Sequence, residues 1–133
     1  MTRRDEGDSR VFLIVNTTRG ITPRLFYERI KNSVLGKGYD LSLVICGNTI
    51  SRRLNKSYRK KDYPANALSF PLDKKSGEIF INIHQVEREA RKDKVSVKKR
   101  LLILYIHSLV HLAGFYHSVK MDKFEEKILS RRF

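Results

Sequence analysis

The sequence predicts a small α/β (α+β) domain, with a mixed sheet of about four strands packed with helices around one central buried helix. Three observations predict it. Short apolar runs rich in β-branched residues, "VFLIV", "LSLVICG", "ALSF" and "EIFINI", are set among helical patterns. The stretch "VKKRLLILYIHSLVHLA" is apolar on nearly every side of a helix, which marks it as enclosed by the rest of the fold. The 133 residues, 41% of them hydrophobic, suit one domain spanning 1–133, with a core that needs no staple.

Each element has a local cause. The charged start "MTRRDEGDSR" is expected to fray, and Val11 to Val15 forms the first strand. Thr22 as N-cap and Pro23 at the first helical position open a helix to about Leu35, where Gly36 and Gly38 stop it. "LSLVICG" is the second strand. Asn48 or Thr49 caps a second helix through about Tyr58, with Ile50 and Leu54 on one face. After the loop "RKKDYPA", two strands near "ALSF" and "EIFINI" turn at "DKKSG". The charged segment from His84 to about Val95 is helical, Ser96 caps the central helix, and Gly114 ends it. In the tail, Met121, Phe124 and Ile128 share one face of a last amphipathic helix.

Lys and Arg number 28 against 14 Asp and Glu, a formal net charge of +14. Such an excess favours a polyanionic partner, because cationic side chains neutralise phosphates and release their counterions. Nucleic acid leads, ahead of an acidic membrane or mere solubility. The single cysteine, Cys46, sits in an apolar run and reads as a core residue of a chain in a reducing, cytoplasmic setting. The apolar run behind the N-terminus is too short for a signal peptide, and "LLILYI" is too short to span a bilayer.

"HSLVHLAGFYH", residues 107–117, carries three of the four histidines. His107 and His111 lie four apart, so they stack on one helix face about one turn apart. Gly114 frees the chain to turn back, and His117 follows within reach of the same point. Zinc sites that do chemistry use three protein ligands and leave a position open. Packed core histidines are the alternative, but three buried imidazoles would each need a partner. Zinc peptidases with this spacing carry a glutamate directly after the first histidine. Ser108 stands there instead, and a hydroxyl is too weak a base. A peptidase would need a carboxylate from elsewhere, such as Glu78. His84 reads as an ordinary surface or capping residue.

"LNKSYRKKDYPANALSFP" is the second informative segment. If Arg59 faces the metal, its planar fork would hold a scissile phosphate and stabilise charge on it. Lys60 and Lys61 extend the positive charge, and otherwise the run is a solvated loop. Asn66, Ser69 and the prolines shape the loop. Lys98, Lys99 and Arg100 oppose the dipole at the start of the central helix, which suggests contact with RNA or simple solvation.

Together these segments resemble one family. "HSLVHLAGFYH" is similar to the H-G-x-L-H-L-x-G-Y-D-H signature of the YbeY endoribonucleases, bacterial ribosomal RNA maturation factors. "LNKSYRKKDYPANALSFP" is similar to their L-N-x-x-Y-R-x-x-D-x-P-T-N/D-V-L-S-F-P segment, and "GEIFIN" to G-D-I-x-I. The resemblance implies a small α/β fold with one metal ion, usually zinc, held in a cleft by His107, His111 and His117, with Arg59 beside it. It implies cleavage of single-stranded RNA, a role in maturation of 16S ribosomal RNA and ribosome quality control, and contact with ribosomal components. Ser108, Val110, Phe115 and Tyr116 replace the usual Gly, Leu, Tyr and Asp, and Ala65 and Ala67 replace Thr and Val. The Asp-to-Tyr change removes a carboxylate that would orient an imidazole. The rival reading is a non-catalytic, ribosome-associated RNA-binding or assembly factor with a structural metal.

Overall fold

The computed structural model describes residues 2–3, 12–114 and 119–131. Strand alternation builds the sheet first. In β3 (Asp40–Cys46), Leu41, Leu43 and Ile45 point into the core, while the residues between them are only half-buried. β5 (Ser76–Asn82) does the same with Ile79 and Ile81, and the parallel register sets Leu43 beside Ile79 and Ile45 beside Ile81. β2 (Phe12–Asn16) runs parallel to β3 on its other side. β4 (Ala67–Asp73) pairs antiparallel with β5 through a two-residue turn at Lys74 and Lys75, and is an edge strand. A two-residue strand, β1 (Thr2–Arg3), pairs antiparallel with β2. Among the described residues the sheet therefore has five strands in the order β1-β2-β3-β5-β4, and Thr2 and Arg3 belong to it rather than to a frayed end.

The helices are α1 (Tyr27–Leu35), α2 (Asn48–Arg59), α3 (Ile83–Asp93), α4 (Val97–Leu112) and α5 (Val119–Leu129). α4 is the central helix, and the core closes around it. Leu101, Tyr105, Leu109 and Val110 are fully buried in one cluster with the sheet residues, Ile30 of α1 and Ile128 of α5. The Tyr105 hydroxyl donates to the Tyr27 carbonyl (2.8 Å), and the two rings meet edge to face at 5.3 Å. Burial raises the Tyr105 phenol well above its ordinary value. Ser96 caps α4 as expected, its hydroxyl accepting from the Lys99 amide at 3.0 Å. Gly114 follows the helix with φ +94°, a conformation open to glycine.

Two helix starts differ from the sequence reading. α1 begins at Tyr27, not at Thr22–Pro23. The Pro23 carbonyl accepts the Tyr27 hydroxyl at 2.6 Å rather than a helical amide, and the first helical bond is Ile30 N to Phe26 O. The Thr22 hydroxyl is buried and caps nothing. α2 is capped by Gly47, without a side-chain hydrogen bond. Asn48 Oδ1 is already engaged by Asn82 (2.8 Å) and Gln85 (3.3 Å) across the molecule. Asn82 Oδ1 in turn caps α3 by accepting from the amides of His84 and Gln85.

Gly77 in β5 is needed for space, because a Cβ there would collide with the Tyr39 hydroxyl. Cys46 is fully buried, and burial pushes its thiol up to about 11, which makes it an inert core residue. Among the described residues, no helix is long and apolar enough to cross a membrane.

Candidate active site

The apolar face of α4 fixes its rotation, and that rotation turns His107 and His111 toward a cleft of about 950 Å³. The two imidazoles converge, with Nε2 of each 3.0 Å apart and the rings at 72° to one another. That is a hydrogen-bond distance, so one ring donates to the other's lone pair. Behind His107 stands Glu125 of α5, with Oε1 2.5 Å from Nδ1. This carboxylate oxygen is buried and makes no aligned hydrogen bond, so the imidazole is its counter-group. A carboxylate at Nδ1 favours the proton on that nitrogen and leaves the Nε2 lone pair facing the cleft.

This donor set suits a borderline transition-metal cation: two imidazole nitrogens on one point, one of them backed by a carboxylate. His117, the expected third ligand, lies outside the described residues, as do Phe115 and Tyr116. Among the described residues, no group of three His, Cys, Asp or Glu is placed to hold a metal. Ser108 is buried and its hydroxyl donates to the Leu104 carbonyl at 2.8 Å, so it is spoken for as well as weakly basic.

The facing wall is built by α2, the loop after it and β4. Ser51 and Asn55 are buried polar residues on α2 that clamp this loop. Ser51 Oγ donates to the Ala65 carbonyl (2.6 Å), Asn55 Nδ2 to the Tyr63 carbonyl (2.8 Å), and the Lys61 amide to the Asn55 carbonyl (3.2 Å). Lys60, in the left-handed conformation at φ 60°, ends α2 and turns the chain. Asp62 adds an exposed pair with Arg52 at 2.8 Å, whose guanidinium holds its carboxyl below the usual range. These contacts set Arg59, the last residue of α2, on the same cleft that the two histidines line. Arg59 is exposed, and no carboxylate among the described residues pairs with it.

The other basic residues divide. Arg100 lines the cleft but is locked to Glu89 by contacts of 2.7 and 2.8 Å, and Glu89 also accepts from Asn66 Nδ2 at 3.2 Å. Lys60, Lys61, Lys98 and Lys99 are exposed and lie outside the cleft lining. Asn66 shapes the loop, as expected, through its own network, and Ser69 Oγ ties β4 to the Ser108 carbonyl at 3.3 Å. His84 is exposed beside Glu87, away from the cleft. Glu78 lies on β5, outside the cleft lining, and no described carboxylate lines the cleft.

Sequence reasoning missed Glu125. The available signal was its place three residues before the buried Ile128, which puts both on the docked face of α5. It supplies a carboxylate behind an imidazole of the cleft.

Comparison with known proteins adds an independent finding. A family model described as endoribonuclease YbeY matches residues 14–132. A protein named endoribonuclease YbeY from Chlorobium luteolum is 31% identical over 117 residues, covering 83% of this chain and 85% of its own. A protein of the same name from Neorickettsia sennetsu is 33% identical over 118 residues, covering 80% and 82%. A solution structure from Thermotoga maritima superposes with a TM-score of 0.63 at 25% identity, covering 89% of this chain and 87% of that one.

Proposed function

The chain belongs to the YbeY endoribonuclease family, and from that membership we propose that it is a metal-dependent endoribonuclease that cleaves single-stranded ribosomal RNA. Maturation of the small-subunit 16S RNA, in contact with ribosomal components in the cytoplasm, is the role that fits. The observation that carries the reading is the charge of the cleft: Arg59 and two imidazoles face inward, and no described carboxylate does. Such a lining favours a phosphodiester over a peptide, since an anion there meets a guanidinium and two imidazoles and no described carboxylate.

Each residue has a task. His107 and His111, with His117, would hold one zinc ion, and Glu125 against Nδ1 of His107 leaves that ring's Nε2 available as a donor. What the ion supplies when bound is Lewis acidity at the phosphodiester and a lowered pKa for water. Arg59 donates its guanidinium N–H groups to the scissile phosphate, where they gain strength as charge builds in the transition state. Arg100 is neutralised by Glu89 and serves to hold the wall formed by Asn66. The exposed lysines add sequence-independent affinity along the backbone of the RNA.

Elemental analysis and cleavage of a labelled single-stranded RNA, with chelation and zinc re-addition, test this together. Wild-type protein should carry one zinc and cut; His111→Ala should lose both. Arg59→Ala should keep its zinc and cut about 10²- to 10³-fold more slowly. Zinc-loaded wild type that binds RNA but never cuts it would leave the non-catalytic assembly factor as the better reading. Undiminished cutting by Arg59→Ala would remove that residue from the mechanism.

A further inference from the structure

Tyr58 is a large aromatic residue left 68% exposed at the mouth of the cleft, and the cation requirement of phosphate binding gives no reason for it. It immediately precedes Arg59 at the end of α2. Its ring is not loose on the surface. Phe70 of β4 backs it, with centroids 5.0 Å apart and planes at 55°. Phe70 is in turn braced edge to face by Phe80 of β5, at 5.8 Å and 75°. A ladder of three rings thus runs from the sheet to the cleft, and its last rung presents a face to solvent. Tyr63 and Leu72 are also exposed, but neither lines the cleft.

We propose that Tyr58, backed by Phe70, is a stacking platform for one unpaired nucleobase of the RNA whose phosphate Arg59 binds. The proposal rests on the RNA reading above. The chemistry of the surroundings selects this occupant. Arg59 follows the ring in sequence and lines the same cleft, so the apolar face has a cation beside it and fits a ligand that is itself flat, apolar on its faces and polyanionic along its chain. A base in a duplex already has both faces covered by its neighbours. Only an unpaired base can offer one to Tyr58, so the platform gives the cleft a physical reason to prefer single strands. Stacking tolerates any base, because each has a π-face; the platform selects strandedness rather than sequence.

Binding to non-cleavable 2′-O-methyl oligonucleotides tests this with the zinc-loaded full chain. The probes are a single strand carrying 2-aminopurine, the same strand made abasic, and a duplex. Tyr58→Leu keeps apolar bulk but removes the ring, and Tyr58→Phe keeps the ring; melting curves matched to wild type show that both fold. We expect Tyr58→Leu to weaken single-strand binding roughly 5- to 100-fold and to lose quenching of 2-aminopurine, while Tyr58→Phe retains both. The abasic strand should bind wild type weakly and be indifferent to Tyr58→Leu, and the duplex should be indifferent too. Equal single-strand binding by wild type and Tyr58→Leu would overturn the platform while leaving the RNA reading intact. So would an equal loss on the abasic strand. Wild type that binds no RNA would overturn both.

Discussion

The α4 wall of the cleft is held by apolar packing, while the α2 wall opposite hangs on hydrogen bonds from buried side chains to a loop backbone. On α4, Leu101, Tyr105, Leu109 and Val110 have no exposed surface and fix the rotation that aims both histidines. On α2, the buried groups are Ser51 and Asn55, and what they fix is a loop 8 to 14 residues away in sequence. The proposed metal ligands would have to share a point to within a fraction of an ångström, and a close-packed helix supplies that. The proposed phosphate clamp and base platform would tolerate more play, and a clamped loop would suffice. The two walls therefore fail differently when they are damaged.

The largest effect is expected on the α4 side. Leu109→Ala empties part of the core and should cost about 2–5 kcal/mol in chemical denaturation. Zinc content should survive under conditions where the variant is still folded, because the neighbouring turns of α4 remain packed. A cost under about 1 kcal/mol would mean that this wall is not held by packing. On the α2 side, Asn55→Ala removes the donor to the Tyr63 carbonyl and should cost about 1–3 kcal/mol. Its signature is local: faster amide exchange in residues 61–66 and slower RNA cleavage, with zinc content unchanged. Unaltered exchange in that loop would break the comparison, since the clamp would then not be what holds it.

A smaller effect sharpens the same contrast from within the α4 wall. Glu125 is a polar brace directly behind His107, and Glu125→Gln keeps its shape while removing its charge. Zinc affinity, measured by competition with a chelator, should fall about 10- to 100-fold. Unfolding of the zinc-free chain should change little by comparison. An unchanged zinc affinity would reduce Glu125 to a packing residue of α5.

The contrast also explains what was legible in the sequence. Apolar periodicity is a local signal, so α4, its Ser96 cap and its Gly114 stop could be read directly, as could the pair of histidines riding on one face. The strands were visible as short apolar runs rich in β-branched residues, such as the one that holds Leu41, Leu43 and Ile45. What stayed hidden depends on partners distant in the chain. Asn48 looked like a helix cap, but Asn82 and Gln85 compete for its oxygen. Thr22 and Pro23 looked like a helix start, but the Tyr27 hydroxyl takes the carbonyl that a helix would use. Ser51, Asn55 and Glu125 are polar residues that the apolar pattern does not single out, and their roles exist only once the loop and α5 are in place. Arg59 could be singled out in the sequence by its kind, while its placement on the same cleft as the histidines needed the clamp.

The smallest effect should come from Asp62, and its smallness is itself a test. Its pair with Arg52 joins the loop to α2, as the Ser51 and Asn55 bonds do, but both partners are more than half exposed. Solvent and salt screen such a pair, so it should matter less than either buried bond. The Arg52 guanidinium lowers the Asp62 carboxyl from its ordinary value of 3.8. A carboxyl with a lowered folded-state pKa contributes stability that is fully present above the unfolded value and is lost as pH falls through the folded one. The denaturation midpoints of wild type and Asp62→Asn should therefore differ slightly, by a constant amount from neutrality down to about pH 4, and converge at lower pH. The gap should also shrink in about 1 M salt. A gap that widened on acidification would have the wrong sign for this pair. A gap as large as that of Asn55→Ala would place the hold on the loop at its surface rather than on the buried face of α2, and the distinction between the two walls would have to be drawn elsewhere.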